Sequence, residues 1–165
     1  MFEVLKVLDE KEARFKELET RSLKYNQWQE VLQTQPTIFE ELDSLREDLT
    51  LRCLMWRSLQ EWQELQEMWI KTQFNAIQAK EIAQKADYFS KICMRLEKNL
   101  DDNPIQKKLK DLVDTFKGAM PIVVALRNDN LKDSHWKEIK DLINADFNIA
   151  DPEFTLQSLI DLNAV

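Results

Sequence analysis

Apolar residues recur at helical spacing along nearly the whole chain, and short polar breaks divide the pattern into segments. Over residues 3–32, Leu5, Leu8, Phe15 and Leu18 share one face that Tyr25, Trp28 and Leu32 continue, which predicts a long first helix. Glu10 with Arg14 and Glu12 with Lys16 stand four apart in the favourable order and read as charges on a solvated face. Gln35-Pro36-Thr37 breaks the pattern, and Thr37 followed by Glu40 has the form of a capping box. A second helix is predicted from there to about residue 70, some 50 Å long at roughly 1.5 Å per residue. Its apolar stripe runs through Leu42, Leu45, Leu49, Met55, Leu59, Trp62 and Trp69, with Trp56 and Leu65 beside it.

A further break at Thr72-Gln73-Phe74-Asn75 precedes a second candidate capping box, Asn75 with Gln78, which opens a helix to about residue 100. Its expected buried face carries Ile82, Phe89, Cys93 and Leu96, with Tyr88 and Ile92 alongside. At Asp101-Asp102-Asn103-Pro104 lies the sharpest boundary. Asn103 is a preferred cap, and Pro104 suits the first helical position, where a missing N–H costs nothing. The next helix is expected to bury Leu109, Leu112, Val113 and Phe116, with a kink near Gly118 and Pro121. A further apolar stretch over residues 122–126 ends near Asn128-Asp129-Asn130. Asp133 or Ser134 then caps a short helix holding Trp136, Ile139, Leu142 and Ile143. Asp151-Pro152 interrupts again, and residues 155–162 give a last helical turn or two. No repeat period emerges.

Composition sharpens this into an all-α fold class: an elongated bundle of long antiparallel helices followed by shorter, Pro-interrupted ones. The chain has 165 residues, one domain's worth, with a single Gly and 32% charged residues. Hairpin turns and tight βα connections need residues that tolerate positive φ, and one Gly does not supply them. A P-loop needs two Gly before its Lys and a dinucleotide fold three, so neither phosphate cradle is possible here.

A formal net charge of −7 argues against nucleic acid and against a polybasic membrane surface as partners. The longest apolar run, residues 119–126, is far short of the ~20 residues of a membrane span. The first ten residues carry acids where a signal peptide would have a basic start. Cys53 and Cys93 lack partner spacing and read as reduced, small apolar fillers. The expectation is a soluble, intracellular chain.

Candidate chemistry does not survive inspection. The five Trp invite reading as partner anchors, but Trp28, Trp56, Trp62 and Trp69 lie on or near apolar stripes, where packing between helices is the plainer role. His135 is the only His, with no second ligand and no nucleophile at workable spacing, so a hydrogen bond near a helix start is its expected duty. Glu40-Glu41 and Asp101-Asp102 sit beside capping residues, where compensation of the helix dipole accounts for them. Lys107, Lys108 and Lys110 are partly offset by Asp111 and Asp114. No catalytic, cofactor-binding or metal-binding residue set is expected, and no cofactor.

Six segments, in order, carry a family resemblance. They are W-R-S-L-Q-E-W-Q-E-L at residues 56–65, W-I-K-T-Q-F-N at 69–75 and R-L-E-K-N-L-D-D-N-P at 95–104. F-K-G-A-M-P-I-V-V-A-L-R-N follows at 116–128, overlapping L-R-N-D-N-L-K-D-S-H-W at 126–136 with its terminal S-H-W, and then P-E-F-T-L-Q-S-L at 152–159. The chain resembles the start of the motor linker of dynein heavy chains over about residues 49–162. It departs where Asp129 stands in place of a common Pro and Ser134 in place of a basic residue before His-Trp.

The resemblance implies a non-catalytic mechanical element that transmits nucleotide-driven motion of an ATPase ring to the tail. In its terms residues 1–41 are a neck or tail-junction helix and residues 42–165 the N-terminal portion of the linker bundle. The implied partners are the ATPase ring of the same heavy chain and other dynein subunits reached through the tail-proximal helix, with no nucleic acid and no membrane. The implied setting is cytoplasmic or the ciliary axoneme, associated with the cytoskeleton, and the helix sequences lean toward an axonemal isoform. The ATPase motifs are expected downstream, so the chain reads as an excised piece. A spectrin-like helical scaffold is the alternative on pattern alone.

Overall fold

Three of the four expected side-chain caps do not form, and the reasons show what holds the turns together. The structure, a computed structural model, describes residues 2–128, 130–143, 147–149, 151 and 153–161. Its helices are α1 (Phe2–Val31), α2 (Glu40–Lys71), α3 (Ala79–Asn99), α4 (Pro104–Leu126), α5 (Asp133–Ile143) and α6 (Leu156–Asp161), with a 3-10 turn at Phe74–Ala76. Every helix predicted from the pattern is present, and the fold is all-α, long helices first and the two shortest last.

Phe39, not Thr37, precedes the first turn of α2, without a side-chain cap. Thr37 is held by α1 instead: its N–H donates to Asn26 Oδ1 (3.1 Å) and Gln29 Oε1 (2.9 Å), and its hydroxyl accepts from Gln29 Nε2 (2.7 Å). Asn75 likewise caps nothing, because α3 begins at Ala79 and Asn75 Nδ2 donates across the chain to the Ile149 carbonyl (2.6 Å). Asn103 performs as expected. Its Oδ1 accepts from the N–H groups of Ile105 (3.0 Å) and Gln106 (2.9 Å), with Pro104 in the first turn. α4 continues through Pro121 to Leu126 without division into two helices. The Ile143 side chain, Asp129, Pro152 and Leu162 lie outside the described residues.

α1, α3, α4 and α6 all pack on α2. Its C-terminal half forms one core with α3 and α4, centred on Trp62, Leu59, Phe89, Leu96, Leu109 and Val113, each at most 1% exposed. α3 returns antiparallel to α4, and the pairs Lys110–Glu97 (2.6 Å) and Lys117–Asp87 (2.8 Å) fix their register. The N-terminal half of α2 meets α1 in a much smaller second core of Leu8, Phe15, Leu49 and Cys53. Trp56 touches both cores.

The predicted buried face of α1 is only partly realised. Tyr25, Trp28 and Leu32 are 41%, 59% and 71% exposed, so the aromatic expected to pack at Trp28 faces outward. On α2 and α3 the same holds for Leu45 and Tyr88. Among the described residues no helix is long and apolar enough to cross a membrane.

Two substitutions test this reading of the core. Trp62→Ala removes a fully buried indole and is expected to lower unfolding stability by about 3–5 kcal/mol in urea denaturation. Gly118 lies inside α4 with a negative φ, and a Cβ there meets nothing within 4 Å. Gly118→Ala is therefore expected to raise stability by about 0.5–1 kcal/mol in the same assay.

Candidate functional site

Three features stand out among the described residues. They are the aromatic hub on α2, the latch that closes the α2–α3 turn, and the charged clasp that holds α1.

The hub follows from residues seven apart. Trp62 and Trp69 share one face of α2, so both point into the groove between α3 and α4. Trp62 packs edge-on to Phe89 (5.2 Å between centroids), Phe116 (5.6 Å) and Trp69 (5.8 Å), while Trp69 stacks on Phe116 (5.4 Å). Such pairs add about 0.5–1.5 kcal/mol each beyond area burial. Trp62 Nε1 is buried with no oxygen acceptor, and the surrounding π faces give it only weak compensation. The hub locks three helices into one unit.

The latch joins the α2–α3 turn to the C-terminal end of the described chain. Phe74 N–H donates to the Phe154 carbonyl (2.9 Å) and Leu156 N–H to the Thr72 carbonyl (3.2 Å), which brings Gln73 and Thr155 into a single antiparallel bridge. Phe74 sits edge-on to Phe154 (5.8 Å) and Trp136 (6.4 Å), and Phe154 stacks on Phe147 (5.2 Å). Arg127 covers Phe74 at 5.8 Å and donates to the Ile77 carbonyl at 3.4 Å. The segment at residues 69–75 is thus tied to the segment at 152–159 through backbone bonds.

His135 lies at this end, exposed on α5. Its Nδ1 accepts from the Lys132 N–H (3.1 Å), while its own N–H donates to the Lys132 carbonyl (2.9 Å). That is the reciprocal half of a capping box, with His in the place Glu or Gln usually takes. Neither Asp133 nor Ser134 is the residue that precedes the helix; Lys132 is.

The clasp is electrostatic. Arg57 on α2 donates to Asp9 (2.8 Å) and Glu12 (2.6 Å) on α1, and Arg46 donates to Glu19 (2.6 Å). The hydrogen bond with Glu12, then that with Asp9, raises the Arg57 guanidinium above its ordinary range. The same bond from Arg57 holds the Glu12 carboxyl below its usual 4.5. Burial pushes the neighbouring Cys53 thiol up to about 11, with Glu12 adding to the effect, and burial does the same for Cys93. Both cysteines are free, buried, unreactive filler.

Sequence reading placed Glu12 on a solvated face with Lys16; the structure gives it an interhelical partner. Arg57 and Asp9 were not singled out at all. No local pattern marks an ion pair between residues 48 apart, since it depends on the register of two helices.

Among the described residues no group of three His, Cys, Asp or Glu side chains is placed to hold a metal ion. What the geometry offers is a stiff three-helix unit, a latch at its far end and a lightly held lever helix.

Lowering pH should loosen that lever. With its folded pKa depressed, Glu12 contributes stability that is fully present above its ordinary value of 4.5 and is lost as pH falls through the lower folded value. Arg57→Ala is expected to cost about 1 kcal/mol or less, because the pair is half exposed to solvent. It should also flatten the dependence of α1 docking on pH below 4.5, read from energy transfer between dyes on α1 and α2. An unchanged acid transition in the variant would show that the clasp does not set it.

The hub and the latch both lie within the stretch that matches a known family. A family model described as "Dynein heavy chain, N-terminal region 2" matches residues 42–165. Dynein axonemal heavy chain 6 of Homo sapiens is 29% identical over 157 residues, 95% of this chain and 4% of the relative. The Dynein-1-beta heavy chain of the flagellar inner arm I1 complex of Chlamydomonas reinhardtii is 29% identical over 124 residues, 75% of this chain and 3% of the relative. The dynein alpha chain of the flagellar outer arm of the same alga is 28% identical over 94 residues. The chain thus spans only a few per cent of the length of the relatives it matches. With three-quarters of its length under the family model, the chain belongs to the dynein heavy chains, within their N-terminal region.

Proposed function

We propose that this chain is the N-terminal part of the linker of an axonemal dynein heavy chain, a non-catalytic mechanical element. It passes nucleotide-driven motion of the ATPase ring to the tail. Residues 1–41 form the neck or tail-junction helix and residues 42–165 the first portion of the linker bundle. The partners are the ATPase ring of the same heavy chain and, through α1, other dynein subunits. The setting is the axonemal cytoskeleton, in keeping with the axonemal and flagellar names of the relatives.

The observation that carries the reading is the single helix α2, 32 residues without Gly or Pro, which takes part in both cores. A helix of that length spans about 48 Å. A displacement of the α3–α4 unit therefore reaches α1 through a continuous hydrogen-bonded rod, and close-packed cores transmit strain with little compliance. Membership of the dynein heavy chain N-terminal region supports this reading over the spectrin-like alternative.

The test uses the intact heavy chain with one fluorophore at the exposed Lys108 and another on the ATPase ring. Energy transfer is expected to change between the nucleotide-free and ATP-vanadate states. A constant efficiency across the nucleotide cycle would contradict a linker role for this segment.

A further inference from the structure

From residue 16 to residue 48 no side chain is buried, although both helices there are long and well formed. Large apolar groups are presented to solvent instead: Leu23, Trp28, Val31, Leu32, Ile38 and Leu45 are between 48% and 82% exposed. From Leu51 onward α2 contributes to the core it shares with α3 and α4, whereas before Leu49 no residue of α2 is buried. A helix pair with apolar faces is stable when a further layer covers them.

The uncovered face has the shape of a site. Tyr25, Ile38, Phe39, Leu42 and Leu45 line a groove of about 630 Å³ between the end of α1 and the start of α2. It is held in shape by the bonds from Asn26 and Gln29 to Thr37 and by Thr34, whose hydroxyl and N–H both donate to the Gln29 carbonyl (3.1 and 2.8 Å). Tyr25 and Trp28 stand together at 5.7 Å.

Charge then selects the occupant. Glu40 and Glu41 line the groove and its extension towards Asp48, and no ion pair engages either of them among the described residues. Arg21 is the cation on the lining, and its guanidinium donates to the Tyr25 hydroxyl at 3.2 Å. A second copy of this chain, with formal net charge −7, is disfavoured by its charge balance.

We infer that this groove docks a basic amphipathic helix from a separate polypeptide, completing a three-helix bundle at the α1–α2 tip. Its apolar residues at i, i+3, i+4 and i+7 would cover Tyr25, Ile38 and Leu45, and its Lys or Arg flanks would meet Glu40 and Glu41. This deepens the subunit contact proposed above for α1, while resting on groove and charge alone.

The experiment titrates the full 165-residue chain with a fluorescein-labelled, lysine-rich amphipathic peptide of about 18 residues with leucines at those spacings. A second peptide keeps the leucines and replaces every lysine by glutamate. Micromolar binding of the basic peptide is expected, weakening as salt rises. It should fall about tenfold with Glu40→Lys plus Glu41→Lys, and again with Ile38→Ser plus Leu45→Ser. All four positions are exposed, and circular dichroism of each variant checks that it stays helical.

Equal binding of the acidic peptide, no binding of either, or no loss in the serine variant would overturn the inference. So would dimerisation of the chain through the groove in sedimentation. It would also be overturned if Ile38→Cys were protected from thiol labelling in the intact heavy chain without any added subunit. Each of these outcomes is independent of whether the ring-to-linker energy transfer changes with nucleotide.

Discussion

Trp62 is the residue on which the arrangement depends. It is fully buried and meets aromatic rings from α2, α3 and α4 at once, so its removal opens every interface of the main core. Packing of this kind is unforgiving, because interiors at crystal-like density leave few ways to relax around a lost ring. Around that hub α2 becomes a rod fixed at one end. Its other end is held only by four apolar side chains and by half-exposed ion pairs, which salt and water weaken. The same helix is thus anchored strongly in one place and lightly in another. That asymmetry suits a part that moves as a lever on a rigid base.

Much of this was legible in the sequence, and the misses share one cause. The seven-residue spacing of Trp62 and Trp69, the Asn103-Pro104 start of α4 and the apolar spacing of α3 each rest on neighbours within a few residues, and each appears as expected. Thr37 and Asn75 have capping-box spacing, yet their side chains and N–H groups bond to α1 and to Ile149, partners that spacing cannot reveal. Trp28 and Leu32 lie on the expected stripe of α1, but a stripe predicts burial only where another helix lies opposite it. The Arg57–Glu12 pair was hidden for the same reason. Local rules located the helices; register and coverage belong to the tertiary structure.

The latch gives the family resemblance a physical basis. The segments at residues 69–75 and 152–159 are far apart in sequence and joined in space by two backbone hydrogen bonds and a cluster of rings. A turn whose backbone groups are spent on a distant segment tolerates little change in either partner. Both segments lie within residues 42–165, the stretch that the dynein heavy chain family model matches.

Native-state hydrogen exchange of the chain tests the central claim, that α2 is a rod anchored at its C-terminal half with α1 lightly docked on the other. The account predicts that amides of α3, α4 and the Leu49-to-Trp69 part of α2 exchange together only through global unfolding, while those of α1 exchange earlier through a separate opening. If α1 proved as protected as the hub, or if α2 opened in two independent halves, the lever-on-a-base account would be wrong.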